Sequence, residues 1–276
     1  MKRVFGVLGL AVASAAAVSF AQSPAVLRDI QSVSRGITFV VPDGVNFPWV
    51  RGTTANSTYQ EWDVFASPGG PNAPDIADFA GGTLAMDAAT PDCFDANPAS
   101  GSFISGTGNI FSFTGVVQPQ VDVGGFGLGP SAQTTVLLQM RTLGSEVDLP
   151  SMLLNGSEVP TEVVELDRVS LGANGFQIDA LYRFELDGNA STYTIRFSAN
   201  DIALSLDRVI VDTFTTLVPC VGDADNSGDV TLDDLQIVLF EFGNSVAPYT
   251  NGDFNGDGLV NLDDLQLMLF NFGNPC

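Results

Sequence analysis

Two stretches near the C-terminal end carry oxygen-bearing side chains at a spacing that could hold a metal ion. Residues 222–244 (GDADNSGDVTLDDLQIVLFEFGN) and 252–274 (GDFNGDGLVNLDDLQLMLFNFGN) repeat each other at an offset of 30, with 14 identities in 23 aligned positions. In the first copy Asp223, Asp225, Ser227, Asp229, Thr231 and Asp234 stand at positions 1, 3, 5, 7, 9 and 12 of a twelve-residue loop, with Gly228 at position 6. In the second copy Asp253, Asn255, Asp257, Leu259, Asn261 and Asp264 stand there, with Gly258 at position 6. Positions 1, 3 and 5 project oxygens inward, and position 7 offers only its backbone carbonyl, so Leu259 is acceptable there. Position 9 works through a water, and the glycine permits the sharp turn that returns position 12 to the ion. An all-oxygen donor set suits a hard cation, and Ca2+ takes about six to eight oxygens at about 2.3–2.6 Å. The spacing therefore predicts two calcium ions, one per loop. Both copies carry Asp rather than Glu at position 12. The arm is one methylene shorter, so the backbone must come closer to offer both oxygens.

The remaining composition excludes most other chemistry. Across 276 residues there are 32 acidic side chains against 10 basic ones and no histidine, a net charge of −22. Without histidine there is no Ser-His-Asp or Cys-His unit and no imidazole switch. The single lysine is Lys2, which leaves no candidate for a Schiff base or a P-loop lysine. A surface this acidic repels phosphate backbones, so nucleic acid is not an expected partner. The glycine-rich run 124–129 lacks the strand–helix context of a dinucleotide site, and no organic cofactor is expected.

Each loop runs into an apolar, helix-like segment, LQIVLFEF or LQLMLFNF. Such helices need cover on both faces, from each other, from the rest of the chain, from a partner, or from a second copy. The loops fit the pattern D-x-[DN]-x-[DS]-G-x-V-x-x-x-D-L, closed by Asp234-Leu235 and Asp264-Leu265. On that motif the last 57 residues resemble a type I dockerin, a pair of F-hand calcium loops each followed by a helix. The resemblance implies a secreted adaptor module that folds on calcium and docks onto a cohesin-like domain of a scaffold or cell-surface protein. Cys220 and Cys276 bracket the module. Disulfides persist in exported proteins, and a pseudo-twofold pair of loop–helix units brings its ends together, so a Cys220–Cys276 bridge is expected. It would stabilise by roughly 4 kcal/mol on a chain-entropy estimate. Cys93 is left over.

Upstream of the module the chain divides in two. Lys2 and Arg3, the apolar run 4–18 and the small-residue pattern Ser19-Phe20-Ala21 read as a cleaved signal peptide over residues 1–21. That places the protein outside the cytoplasm (extracellular, cell-surface or periplasmic) with no membrane span after cleavage. Residues 22–219 read as β. Phe176, Ile178, Ala180, Tyr182, Phe184 and Leu186 alternate with polar residues, and Tyr193, Ile195 and Phe197 do so after the turn Asp187-Gly188-Asn189, as a hairpin partner would. Further strands are expected over 36–41, 58–65, 109–117, 134–141, 163–169 and 204–212, and a long loop over 66–108. The fold class is mainly β: an antiparallel β-sandwich or jelly-roll-like body with a small α-helical, dockerin-like calcium module at the C-terminal end.

The body offers little that could be catalytic, and no catalytic residue is assigned. Glu61 and Asp63 flank Trp62 on one strand face; a carboxylate pair is what glycoside hydrolysis needs, but a solvated face beside a core tryptophan reads the same. Trp49, Trp62, Tyr59 and Tyr193 could stack on sugars or fill a core. Asn56, Asn155 and Asn189 begin glycosylation-type triplets. Three functions stay open: a non-catalytic, glycan-binding or surface protein attached by its tail, with polysaccharide as ligand; a carbohydrate-active hydrolase or lyase tethered by it; or a structural exported protein with a calcium-stabilised intramolecular cap.

Overall fold

The computed structural model describes residues 39–80, 91–217 and 220–276, so the signal-peptide segment and residues 36–38 of the first strand candidate lie outside it. Twelve strands follow one another among the described residues: β1 (Ser57–Trp62), β2 (Ile76–Ala80), β3 (Asp92–Asp95), β4 (Phe103–Ile104), β5 (Ile110–Phe111), β6 (Pro119–Gly124), β7 (Gly129–Gly144), β8 (Val147–Leu154), β9 (Glu162–Ser170), β10 (Phe176–Asn189), β11 (Thr192–Ala199) and β12 (Leu204–Leu217). Two helices close the chain, α1 (Leu232–Glu241) and α2 (Leu262–Asn271). The larger sheet runs β2-β1-β12-β7-β10-β9, with β5 also on β12 and β4 on β5; the smaller runs β3-β6-β11-β8. All strand pairs are antiparallel. The body is the β-sandwich that the alternation predicts.

Alternation explains the packing between the sheets. Ile178, Ala180, Tyr182 and Phe184 of β10 and Val136, Leu138 and Met140 of β7 meet Val121, Met152, Tyr193, Ile195 and Phe197 of the smaller sheet in one buried cluster. Trp62 is fully buried there, its indole N–H donating to the Asn72 carbonyl at 2.7 Å. Cys93 lies in the same core, where a thiol acts as a small hydrophobe and burial pushes its pKa up. At one end the interior turns polar. Asn189 Nδ2 donates to Thr134, Thr215 and the Tyr193 hydroxyl, so each buried polar atom there has a partner.

The hairpin expected of β10 and β11 does not form. β10 pairs with β7 and β9, whereas β11 pairs with β6 and β8 in the opposite sheet. Period-two patterning tells which face of a strand is apolar but not which strand lies beside it, so facing strands and paired strands write the same pattern. The loop expected over 66–108 holds β2, β3 and β4, edge or short strands of five residues or fewer with too few alternations to register. Conversely, only Ile110–Phe111 of the 109–117 candidate is strand. The Ser112 hydroxyl turns the next residues by donating to the Ser100 carbonyl and accepting from Thr114 and Gly115.

A third layer covers the outer face of the larger sheet. Phe39, Val40, Phe47 and Trp49 pack on Leu137, Leu181, Ile210 and Phe214, with Trp49 stacked on Phe214 at 5.0 Å. Beside them Arg51 makes a two-pronged ion pair with Asp212, whose carboxyl is fully buried. Burial pushes the Asp212 pKa up to about 6 against the pull of Arg51. Between about pH 4 and pH 6 the folded state thus holds a proton here that the unfolded chain, near the ordinary value of 3.8, releases, and above that window the ion pair with Arg51 is charged. This group therefore stabilises the fold below about pH 4 and progressively loses that stabilisation as pH rises to about 6. Asp212→Asn removes the titration, so the stability of the wild type minus that of the variant should fall between pH 4 and pH 6 in urea denaturation. A difference that stays flat across this window would refute the assignment.

Candidate metal centre

The repeat folds as two equivalent loop–helix units around their own small core of Val230, Val238, Val260 and Met268. Oxygens of Asp223, Asp225 and Asp234 lie within 4.8 Å of one another, and those of Asp253, Asp257 and Asp264 do the same in the second unit. Positions 1, 3 and 12 of the first loop and 1, 5 and 12 of the second are thus brought together across up to eleven residues of chain. Three carboxylates at this separation repel one another unless a proton or a cation offsets them.

The local geometry has a clear origin. Asp223 accepts the amides of Ser227 and Gly228 at 3.0 and 2.9 Å, and Asp253 those of Gly256 and Gly258 at 2.8 Å each. The position-1 carboxylate thereby folds the loop around itself. Gly228 and Gly258 have φ of 95° and 81°, where a side chain would be strained, which is the physical need for glycine at position 6. At the far end Asp234 accepts from Ala224 and Asp225 with one oxygen and from Thr231 with the other; Asp264 repeats this with Phe254, Asn255 and Asn261. Both Asp234 and Asp264 are fully buried. The shorter Asp arm is what draws the helix start against the loop: position 12 is also the third residue of its helix, close enough to bond loop amides directly. Burial pushes the Asp223 carboxyl up, and the Ser227 hydroxyl holds Asp225 down.

The other predicted ligand positions are distributed as follows. Ser227 Oγ donates to the Asp229 carbonyl at 3.2 Å, so positions 5 and 7 meet. Asn255 Nδ2 bonds Asp257. Leu259 takes part through its backbone, in an isolated bridge to Ser245. Thr231 and Asn261 are the N-caps of α1 and α2, each in a capping box with the aspartate three residues on. The ligand-position reading missed this role, although S/T/N followed three residues later by an acid is a sequence-level capping signal. The expected disulfide is present: Cys220 and Cys276 are bonded, with their Cα atoms 5.5 Å apart.

Both helices leave an apolar face uncovered. Leu232, Leu239 and Phe240 are exposed on α1, and Leu262, Leu269 and Phe270 on α2; Phe240 and Phe270 are 83% and 88% exposed. Among the described residues, the cover that the apolar runs call for comes on the side facing the small core.

The body's sequence candidates do not assemble into a site. Glu61 and Asp63 both contact Nη2 of Arg208, at 2.6 and 3.4 Å, and Glu61 also accepts the Tyr59 hydroxyl. Trp49, Trp62 and Tyr193 are core, and Tyr59 lies under the Arg51 guanidinium. Asn189, the third glycosylation triplet, is buried with its amide spent on three partners. In the glycine-rich run, a Cβ at Gly125 would lie 2.1 Å from the Ala190 carbonyl, so the glycine serves a close backbone approach. What sequence reasoning missed is a surface cluster of Phe103, Phe111 and Phe113, with ring centroids 4.4–5.8 Å apart.

Fold and site together define a β-sandwich protein with a C-terminal pair of helix-capped, carboxylate-lined loops. No known family, curated protein or solved structure matches the chain. Among the described residues no helix is long and apolar enough to cross a membrane. The capping boxes make a direct expectation: Thr231→Ala or Asn261→Ala should each cost about 1 kcal/mol of module stability in chelator. Far-ultraviolet circular dichroism melts of the full chain would show it, and an unchanged helical transition would refute it.

Proposed function

We propose that this chain is an exported calcium-binding protein whose dockerin-like C-terminal module attaches or assembles a non-catalytic β-sandwich body through a protein partner. The observation that carries the reading is the pair of converging three-carboxylate sets, each rigidly joined to a helix whose outer face is apolar and uncovered. The donor set is all oxygen, with backbone carbonyls at position 7 and no thiolate or imidazole, which fits Ca2+ among the common ions. Bound there, the ion supplies positive charge that offsets the carboxylates and adds folding free energy. The chain's own residues do the rest. Asp223 and Asp253 shape the loops, Asp234 and Asp264 tie them to the helices, and the helices present Leu232, Leu239 and Phe240 with their counterparts Leu262, Leu269 and Phe270.

The partner's chemistry follows from that surface. The module has ten acidic residues and no basic one, so a complementary face is apolar with a basic rim, on a cohesin-like or cell-surface protein. A second copy would set acid against acid. The Phe103–Phe111–Phe113 cluster, with Phe103 and Phe113 exposed and Phe111 half-buried between them, favours a body that binds, with a polysaccharide among its candidate ligands, over one that hydrolyses, since Glu61 and Asp63 are engaged by one arginine.

Titration calorimetry on the full chain should give two calcium equivalents, and Asp223→Ala combined with Asp253→Ala should remove both. Retention of two equivalents by the variant, or none bound by the wild type, would sink the calcium assignment. Phe240→Glu with Phe270→Glu alters only exposed side chains, so calcium binding and melting should stay within about 0.5 kcal/mol of wild type. The same variant should lose association with the envelope of the producing cell; undiminished association would exclude these faces as the docking surface.

A further inference from the structure

The two loop–helix units are held by the same set of backbone bonds, related by the offset of 30. Val230 N donates to Asn274 O at 3.0 Å as Val260 N does to Asn244 O; Gly273 N to Val230 O at 2.8 Å as Gly243 N to Val260 O at 2.7 Å. Cys276 N donates to Gly228 O at 2.8 Å as Val246 N does to Gly258 O at 3.1 Å, and Asp223 N to Cys220 O at 3.1 Å as Asp253 N to Thr250 O at 3.0 Å. The isolated bridges match too, Asp229 with Pro275 and Leu259 with Ser245. Each loop is therefore laced to the strand-like segment that follows the other unit's helix.

Under this equivalence Cys276 occupies the place of Val246, and Cys220 that of Thr250. Val246 and Thr250 are joined by three residues of chain, Ala247, Pro248 and Tyr249, closed by the Thr250 amide and hydroxyl donating to Ala247 O. Between Cys276 and Cys220 the equivalent short connection is the disulfide. It also lies against the first loop's leading carboxylate, with Cys276 Sγ 3.4 Å from Asp223 Oδ2.

We propose that the disulfide is the covalent substitute for the Val246–Thr250 connection, so that the module is a closed ring whose first calcium loop depends on the oxidised bridge while its second does not. The calcium clause rests on the function proposed above; the ordering of the loop does not. With the bridge open, the segment 273–276 is held to the first loop by its hydrogen bonds to residues 228–230, whereas 243–246 also stays joined to the second loop by a short run of chain. Reduction by two equivalents of a thiol, which opens the bridge to two cysteine thiols and leaves the reductant as its own disulfide, thus converts a symmetric two-ion module into one with a single ordered loop.

The test compares the full chain with its Cys220→Ser, Cys276→Ser variant. In chelator, amide hydrogen exchange at Val230, Gly273 and position 276 should accelerate at least tenfold, with Val260, Gly243 and Val246 within about twofold of wild type. Thiol reduction of the unmodified chain should give the same pattern. Then, with Asp253→Ala added to isolate loop one, calcium affinity should fall at least tenfold on loss of the bridge; with Asp223→Ala added to isolate loop two, it should not change. Equal acceleration of both amide sets, or of neither, overturns the proposal. A wild-type chain that binds no calcium would overturn the metal assignment alone, because the exchange comparison in chelator decides the role of the bridge.

Discussion

The C-terminal module has too little apolar interior to hold itself together by burial. Four side chains, Val230, Val238, Val260 and Met268, are fully enclosed, with Leu235, Leu265, Phe254 and Val246 partly so. So small an enclosed core does not offset the entropy of ordering 57 residues of backbone, which leaves a deficit. Small scaffolds meet that deficit with staples. Every other feature of the module can be read as one: carboxylates that take loop amides, capping boxes at both helix starts, cross-unit backbone lacing, and the disulfide. The acids that do this work create the remaining difficulty, because three carboxylates in close contact oppose the fold they organise. A bound cation is the one addition that would relieve repulsion and add cross-links at once.

The body is solved differently. It has enough alternating strand to build two sheets with a shared core, and its polar interior at the Asn189–Tyr193 end is satisfied by side-chain bonds rather than by ions. The same chain thus uses burial where length allows it and cross-linking where it does not. Charge follows this division. The body pairs its acids with arginine, as at Arg51–Asp212 and Arg141–Asp179, whereas the module contains no base to pair with.

What could be read in advance follows from the range of each interaction. The alternation in β10 and β11 is local, so their apolar faces were legible; their assignment to opposite sheets depends on contacts with β7 and β6, far away in sequence, and was not. Phe47 and Trp49 carry no periodic signal, because they cap the sheet from an irregular segment. In the module, positions 1 to 12 lie on one short loop, so the convergence of Asp223, Asp225 and Asp234 was legible from spacing alone. The equivalence of Cys276 with Val246 was not, because it appears only when one unit's loop is laced to the segment after the other unit's helix. Thr231 and Asn261 illustrate a different limit: one side chain satisfies two patterns, ligand position and helix cap, and the cap is the one the hydrogen bonds display.

The exposed helix faces connect this economy to the proposed function. A module stabilised from within its loops does not need its outer helix surfaces for folding, so those surfaces are free to be apolar without the cost that exposing a core would carry. Phe240 and Phe270 lie well outside the four-residue core and contribute nothing visible to it. Large aromatic side chains held in water at equivalent points of two symmetric units are expensive in solubility, and a strong negative charge opposes association of such a surface with itself. In the function proposed above, acidity and exposed apolar area would work as one device: charge would discourage the wrong encounter, and the helix faces would reward an apolar partner that brings its own positive rim.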